Sequence, residues 1–408
     1  VRMGDQQMDV LDLLDRLDEI EILFEPIFSA DEHVIVAYEV IGQLMKDDQH
    51  FNIVEFTYDE TVPADIRAEV ELIMIKKAIE ISTDALQETN LYIPCNPNLL
   101  MMDFGEAYFK MLTDMVEESL LPHIYLEMPM QKFNGDLDQF RHPIYYIKTY
   151  GVKTVIADIG PDSNLDQILL LEPSVLKMEV SGLDYDAWGA QNHMFATIQS
   201  IAVKMGAAFM FDNIKTSYEL HYAWKNGARY FKGSYLEKPS KQFIDRDILK
   251  MRFRSECQQF ISTEKKILAL KYEEMNNLQK NITSMVKQIN PTSANVESLI
   301  KLAEGLEEYA FRLYICNDEG FQTSPNIVRL KNVWNIEEEA IGKNWSWRPY
   351  FLLNIIKLRN NSKGDLSSIY SDIQTGELTR TYSMALNDEE FLFVDITYSY
   401  LTKHNIVN

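Results

Sequence analysis

The chain has 408 residues, a net charge of −23, 46% apolar and 25% charged residues. That length admits two or three domains with real cores, and the composition is that of a globular protein. The charge argues against DNA or any nucleic-acid polyanion as partner, because phosphate backbones are held by Lys and Arg; a small anionic ligand needs only a local basic pocket. No run reaches the ~18 apolar residues of a membrane span. Val1 to Gly4 lead into no apolar segment of a secretory signal. Cys95, Cys257 and Cys316 have neither metal spacing nor a disulfide framework, which points to a reducing cytoplasm.

Residues 22–235 alternate short apolar runs with amphipathic ones. Strands are expected at Ile22–Phe28, Val34–Ile41, Leu91–Cys95, His123–Glu127, Lys153–Asp158, Val175–Glu179, Ala207–Asp212 and Arg229–Phe231. Helices are expected at Glu69–Ile81, Ala107–Ser119, Met194–Lys204 and Ser217–Lys225. Repeated β-then-α units predict a TIM-type α/β barrel or a doubly wound sheet. Several strands end in a polar residue, at Glu39, Glu127, Asp158, Asp212 and Lys232. Single strand ends carry polar residues simply because they meet solvent. So many carboxylates and an ammonium favour the barrel, whose strand C-termini line the active site.

From Asp247 to Asn290 the chain lacks Gly and Pro, and Ile261, Leu268, Met275, Ile282 and Ile289 recur every seven residues. Leu278 and Met285 hold the intermediate position, which Glu264 and Lys271 break earlier. This predicts a long helix, with a partial coiled-coil seam or packed on its own domain. Pro291 stops it. Beyond lie a helix at Val296–Glu308 and strands at Phe311–Cys316, Gly376–Met384 and Phe391–Ile396, the pattern of a small α+β domain with an antiparallel sheet. The expected domains are a barrel over 1–246, a connecting helix over 247–290 and a sensor-like domain over 291–408.

The strand-end motifs form an ordered set. They are Glu25-Pro26-Ile27-Phe28, Tyr38-Glu39-Val40-Ile41, Leu126-Glu127, Ala157-Asp158-Ile159-Gly160, Leu176-Lys177-Met178-Glu179 and Lys232-Gly233-Ser234-Tyr235. The set resembles the active-site rim of the EAL domain family, the cyclic di-GMP phosphodiesterases. That resemblance implies hydrolysis of cyclic di-GMP to linear pGpG by a two-metal site of Mg²⁺ or Mn²⁺. Such cations need several oxygen ligands each.

Matched position by position, the resemblance implies a degraded site. Glu39 and Glu127 keep their carboxylates and Lys177 its ammonium. The family's ligand asparagine falls on Pro94, with Asn96 one shift away. The first aspartate of the Asp-Asp pair is Ala157, leaving Asp158; the second glutamate of Glu-x-Thr-Glu is Met130. The late Glu-Gly-Val-Glu motif offers Asp212 and Lys215, and the glutamine of Gln-Gly-Tyr is Lys232. The phosphate-gripping arginine is Gln43, and the glutamine that meets a guanine is Glu25.

No catalytic set is therefore intact. Glu39, Glu127, Asp158, Lys177 and Asp212 are remnants, and Glu39, Glu127 and Asp158 are weak metal candidates. No cofactor is expected, Mg²⁺ or Mn²⁺ entering only with residual activity. Lys177, Lys215 and Lys232 are expected to pair with the acids in place of metals, or else some of these side chains face solvent. Glu25, Glu39, Gln43, Asp158, Lys177, Lys215 and Lys232 are the nucleotide-binding candidates.

Trp345-Ser346-Trp347-Arg348-Pro349-Tyr350-Phe351 and Tyr370-Ser371-Asp372-Ile373-Gln374-Thr375-Gly376 resemble the Cache/PAS-like pattern of a small-ligand pocket. Trp345, Trp347, Arg348, Tyr350, Tyr370 and Asp372 are its candidates. Arg348 offers a bidentate fork for a carboxylate and Asp372 a counter-charge; alternatively the aromatics are core and Arg348 pairs with Asp372. Barrel, long helix and sensor-like domain in one chain are similar to the YkuI type of EAL protein from Gram-positive bacteria. That type implies a homodimer. The sequence thus reads as a catalytically inactive regulatory or scaffold protein with an unknown protein partner. A non-hydrolysing cyclic di-GMP receptor, or a weak metal-dependent phosphodiesterase using Asn96 and Asp158, stays open.

Overall fold

All eight strands expected between residues 22 and 231 form, and they close on themselves. The computed structural model describes residues 2–3, 6–7, 10–46, 49–160, 163–180, 190–348, 351–360 and 364–406, and divides into two units, 1–260 and 261–408. In the first unit the strands are β1 Glu21–Ser29, β2 Ile35–Lys46, β3 Asn90–Pro94, β4 Ile124–Pro129, β5 Lys153–Ala157, β6 Val175–Glu179, β7 Ala208–Asp212 and β8 Tyr230–Phe231. Strands β2 to β8 run parallel to one another. β1 departs from the regular TIM pattern, lying antiparallel to both β2 and β8 and closing the barrel between them. A hairpin explains it: β1 reaches β2 through only five residues, too few for the crossover that a parallel pair requires.

Helices cover the barrel's outside: α1 Ala64–Ser82, α2 Glu106–Met115, α3 Leu137–Thr149, α4 Leu165–Leu171, α5 Ala190–Met205 and α6 Ser217–Lys225. Local chemistry sets several starts. Thr216 and Glu219 form a capping box for α6, and Asp136 and Asn164 cap α3 and α4. The sequence did not announce α3 and α4. Pro143 sits inside α3, and α4 spans only about two turns. Outward-facing strand residues such as Val40, Ile93, Leu126, Ile156, Leu176 and Phe211 pack against these helices in one core. A separate inner cluster holds Ile27, Ala37, Tyr92, Tyr125, Val155, Val175 and Met210. Alternation of side chains along each strand separates the two sets.

The long helix forms as α7 Lys250–Ile289, and Asn290 ends it in a left-handed conformation (φ 52°) just before Pro291. The heptad residues divide. Ile282 is buried in the second unit's core, with Met275 and Ile289 packed beside it, whereas Ile261 and Leu268 are exposed.

In the second unit, α8 Val296–Gly305 precedes β9 Ala310–Asn317, β10 Asn326–Leu330 and β11 Val333–Glu337. Then follow α9 Phe351–Asn360, β12 Asp365–Leu366, β13 Thr381–Ala385 and β14 Glu390–Ile396. The antiparallel sheet has the order β11-β10-β9-β14-β13-β12. The single strand expected at Gly376–Met384 is split. Leu378–Thr379 pairs with Tyr370–Ser371, and Thr381–Ala385 joins the main sheet. The β10–β11 hairpin was not foreseen, because its second strand is mostly exposed and carries no apolar alternation. Its signal was Lys331-Asn332, both at positive φ in a two-residue turn.

Gly233 follows β8 at φ +145°, and a Cβ there would lie 2.2 Å from the Ile214 nitrogen and 2.4 Å from its oxygen. Gly233→Ala should destabilise the barrel by about 3 kcal/mol or more. Denaturant unfolding followed by tryptophan fluorescence would measure the shift of the barrel transition.

Candidate functional site

The site is one ring of the barrel. The inner cluster contributes Ile27, Ala37, Tyr92, Tyr125, Val155, Val175, Met210 and, partly buried, Tyr230. Two residues further toward the C-terminal mouth, on the same face of each strand, stand Glu25, Glu39, Pro94, Glu127, Ala157, Lys177, Asp212 and Lys232. On β1, which runs the other way, the step is backward. Eight strands thus deliver four acids, two lysines and two residues without a side-chain polar atom.

The lysines hold the acids together. Lys177 Nζ lies 2.6 Å from Glu39 Oε2, 2.7 Å from Glu127 Oε1 and 3.0 Å from Asp212 Oδ2. Lys232 Nζ lies 2.7 Å from Glu25 Oε2, 3.1 Å from Glu39 Oε1 and 3.1 Å from Asp212 Oδ1. The Lys177, Lys232, Glu39 and Glu127 side chains are each at most 10% exposed. Burial opposes the charged form of every member, so the network survives only by mutual neutralisation. Burial pushes the Glu127 carboxyl up to about 8, with the Glu39 carboxylate adding to it against the pull of Lys177. Burial also raises Glu25, despite Lys232. For Asp212 burial acts upward, yet the two ammonium groups outweigh it and hold that carboxyl well below its ordinary range. Burial would discharge Lys177 and Lys232, but the surrounding carboxylates keep both protonated.

Other sequence candidates lie elsewhere. Lys215 is exposed beyond β7, where its backbone N–H donates to Glu219 Oε2 at 2.6 Å; among the described residues no ion pair joins it to the ring. Two lysines, rather than the three considered, therefore pair with the acids. Asp158 is exposed at φ +56°, and its carbonyl accepts from Gln131 Nε2 at 2.7 Å. Gln43 lies on β2, with its amide 3.4 Å from Glu21 Oε2. Asn96 is buried, its Oδ1 capping Asn98 N at 3.0 Å and its Nδ2 donating to the Thr57 carbonyl at 2.8 Å. One end of that amide caps the turn after β3, and the other ties this turn to Thr57 in the segment before α1.

The ring does not fit the family's metal pair. Both oxygens of Glu39 and of Asp212 contact ammonium groups, as does Glu127 Oε1. Glu127 Oε2 is buried without a partner, a suitable position for the proton of a carboxyl that titrates near 8. Pro94 and Ala157 supply no side-chain ligand. Hard divalent ions take six or more oxygens. Among the described residues no group of three or more His, Cys, Asp or Glu is disposed to hold a metal ion.

Sequence reasoning missed the neighbourhood of α1. Glu71 on α1 is buried and accepts the Asn96 N–H at 2.7 Å, while its second oxygen is unpartnered. Burial lifts its carboxyl to about 8, against that hydrogen bond and Arg67. Tyr58, Glu60, Arg67, Asn96, Asn98, Lys132 and Asn134 line a cleft of about 560 Å³, with Lys132 Nζ 4.4 Å from the centre of the Tyr58 ring. No motif flagged it, because its residues come from three separate loops and a helix.

Among the described residues, several of the sensor candidates have partners within the second unit. Asp372 is buried against Arg312, which also holds Asp395 at 2.6 Å and Gln374 at 2.9 Å. Its counter-charge is thus Arg312, and not Arg348 as considered above. Tyr370 donates to Asp395 at 3.4 Å. Trp345 Nε1 donates to Gln322 Oε1 at 3.0 Å, and the Arg348 guanidinium stacks 4.6 Å from the Trp345 ring and 5.9 Å from the exposed Trp347 ring. Tyr350 lies outside the described residues.

Comparison with known proteins assigns the class. The EAL domain profile matches residues 8–239, over half of the chain, and a profile for an EAL-domain associated signalling protein domain matches residues 243–407. The chain belongs to the EAL-domain family. It is 37% identical over 399 residues to the EAL-domain containing protein YkuI of Bacillus subtilis (strain 168), covering 97% of this chain and 98% of that one. It is similar also to the crystal structure of Bacillus subtilis YkuI in complex with substrate cyclic di-GMP and calcium, with a TM-score of 0.91 over 97% of this chain and 99% of that one. An EAL domain protein from Listeria monocytogenes is 14% identical, with a TM-score of 0.48 over 57% of this chain and 94% of that one. Among the described residues no helix is long and apolar enough to cross a membrane.

Two tests follow from these buried groups. Glu71 holds a proton in the folded chain that the unfolded chain releases, so its contribution is full below about pH 4.5 and is lost as pH rises through about 8. The loss is at most about 1.4 kcal/mol per pH unit for one group. Glu71→Gln keeps the acceptor for Asn96 and should flatten the fall in unfolding free energy between pH 5 and pH 8, as measured by urea titrations. Asp372→Ala strands the buried Arg312 charge beside Asp395 and should cost the second unit about 3 kcal/mol, read from its unfolding transition.

Proposed function

We propose that this protein is a regulatory EAL-domain protein of the cytoplasm that does not hydrolyse cyclic di-GMP, and that the nucleotide is a ligand of its barrel mouth. The single observation that carries the reading is the occupation of the ring by Lys177 and Lys232, which engage all but one of the oxygens a metal pair would use at Glu39, Glu127 and Asp212. Hydrolysis in the family's manner needs metal-bound hydroxide and metal-neutralised phosphate oxygens. Ammonium groups neutralise charge but generate no hydroxide. Support for the nucleotide as ligand comes from the Bacillus subtilis YkuI structure, which holds cyclic di-GMP with calcium and matches this chain over nearly its whole length. The three cysteines are buried and unpaired, in keeping with a reducing compartment. The second unit acts in this reading as the sensor-like partner of the barrel.

The full chain, incubated with cyclic di-GMP and Mg²⁺ or Mn²⁺, should yield no pGpG by chromatography. Calorimetry should show nucleotide binding that EDTA leaves unchanged. Turnover at ordinary enzyme rates sinks the regulatory reading; absence of binding removes the nucleotide from it.

A further inference from the structure

We propose that Glu25 and Lys232 act together as a metal-excluding pair, with Lys232 occupying a cation position and Glu25 anchoring it there. The inference rests on the non-hydrolysing reading above and names the residues that enforce it. It begins with register. Across the antiparallel β1–β2 pair, Glu25 stands directly opposite Glu39, and both point into the barrel. Like charges directly opposite on one face of a sheet repel, and here both are largely buried. Lys232, from β8's end on the other side of β1, reaches both of them.

The ammonium nitrogen has carboxylate oxygens from three strands around it, at 2.7 Å from Glu25, 3.1 Å from Glu39 and 3.1 Å from Asp212. Three convergent carboxylates from rigid strands are the donor chemistry of a hard divalent ion, except that metal–oxygen contacts run about 2.0–2.6 Å. Lys232 takes that position with a fixed charge that cannot exchange with solvent.

Glu25 is the positioning residue. Lys177 and Lys232 share Glu39 and Asp212, so each ammonium repels the other. The Glu25 carboxylate contacts Lys232 and, among the ring's ion pairs, is the contact Lys177 does not share. Without it, Lys232 would be held only through acids already committed to a second cation. In the family pattern both positions are glutamine, so this chain differs at both ends of one contact.

The double variant Glu25→Gln/Lys232→Gln provides the test. It removes one acid and one ammonium together, so the ring's formal charge is unchanged. Mn²⁺ alone would be titrated into the full chain, with free ion followed by electron paramagnetic resonance and folding by circular dichroism. The wild-type chain should bind Mn²⁺ only weakly, short of saturation over the titrated range. The double variant should bind one Mn²⁺ about tenfold tighter or more, as expected when a like charge leaves a metal position. Lys232→Gln alone removes the ammonium and leaves all four acids, so it should also bind Mn²⁺ more tightly than the wild type; it carries the test if the double variant does not fold. Equal Mn²⁺ affinity in the wild type and a folded variant overturns the pair's role while leaving the regulatory reading intact. Turnover of cyclic di-GMP by the wild type strikes that reading instead, and is measured separately.

Discussion

The structure depends on one arrangement, six ionisable side chains, four buried and two partly buried, in a single ring of a closed barrel. Taking even one of these charges out of water costs several kcal/mol unless a partner compensates. The cost is met by sharing: Glu39 and Asp212 each bridge both lysines, Lys177 also reaches Glu127, and Lys232 also reaches Glu25. The remaining imbalance falls on Glu127, whose carboxyl titrates near 8 and has one unpartnered oxygen. Such a network favours one geometry strongly, since removing any member leaves another charge stranded.

The barrel explains why these six meet. Side chains alternate along a strand, and closure brings equivalent steps of eight strands to one level. Below the ring lies the apolar and aromatic plug that includes Tyr92 stacked on Tyr125 at 4.4 Å. The plug forces the charges to neutralise one another, because it offers them no solvent from beneath. The reversed direction of β1 adds its own constraint. It sets Glu25 against Glu39 in an antiparallel register, and that creates the need for a cation between them.

The second unit repeats the logic on a smaller scale. Arg312 is buried against Asp372 and Asp395, with Gln374 on its remaining edge. Asp395 is further satisfied by Thr381 at 2.6 Å. These contacts tie β9 and β14 to the turn after Tyr370–Ser371, so Asp372, which reads from sequence as a pocket residue, serves the domain's own integrity. α7 makes a similar division. Its seven-residue repeat is covered by the second unit's core from Met275 onward and is uncovered at Ile261 and Leu268.

Much of this was legible in the chain. Eight short apolar runs, most of them ending in or near a charged residue, determined the barrel's strands and most of the ring. Hydrophobic period and strand-end polarity are local properties, and so are the Asn290-Pro291 stop and the gaps at Pro94 and Ala157. What sequence could not decide was partnership. That Lys232 pairs with Glu25 and that Asp372 answers Arg312 rather than Arg348 are contacts between residues far apart in sequence, and Lys215 staying outside the ring and Asn96 being spent on a local cap depend on where their loops come to lie. The inventory of charges was written in the sequence. Only closure of the barrel, by fixing register and excluding water, decided which charges must neutralise which.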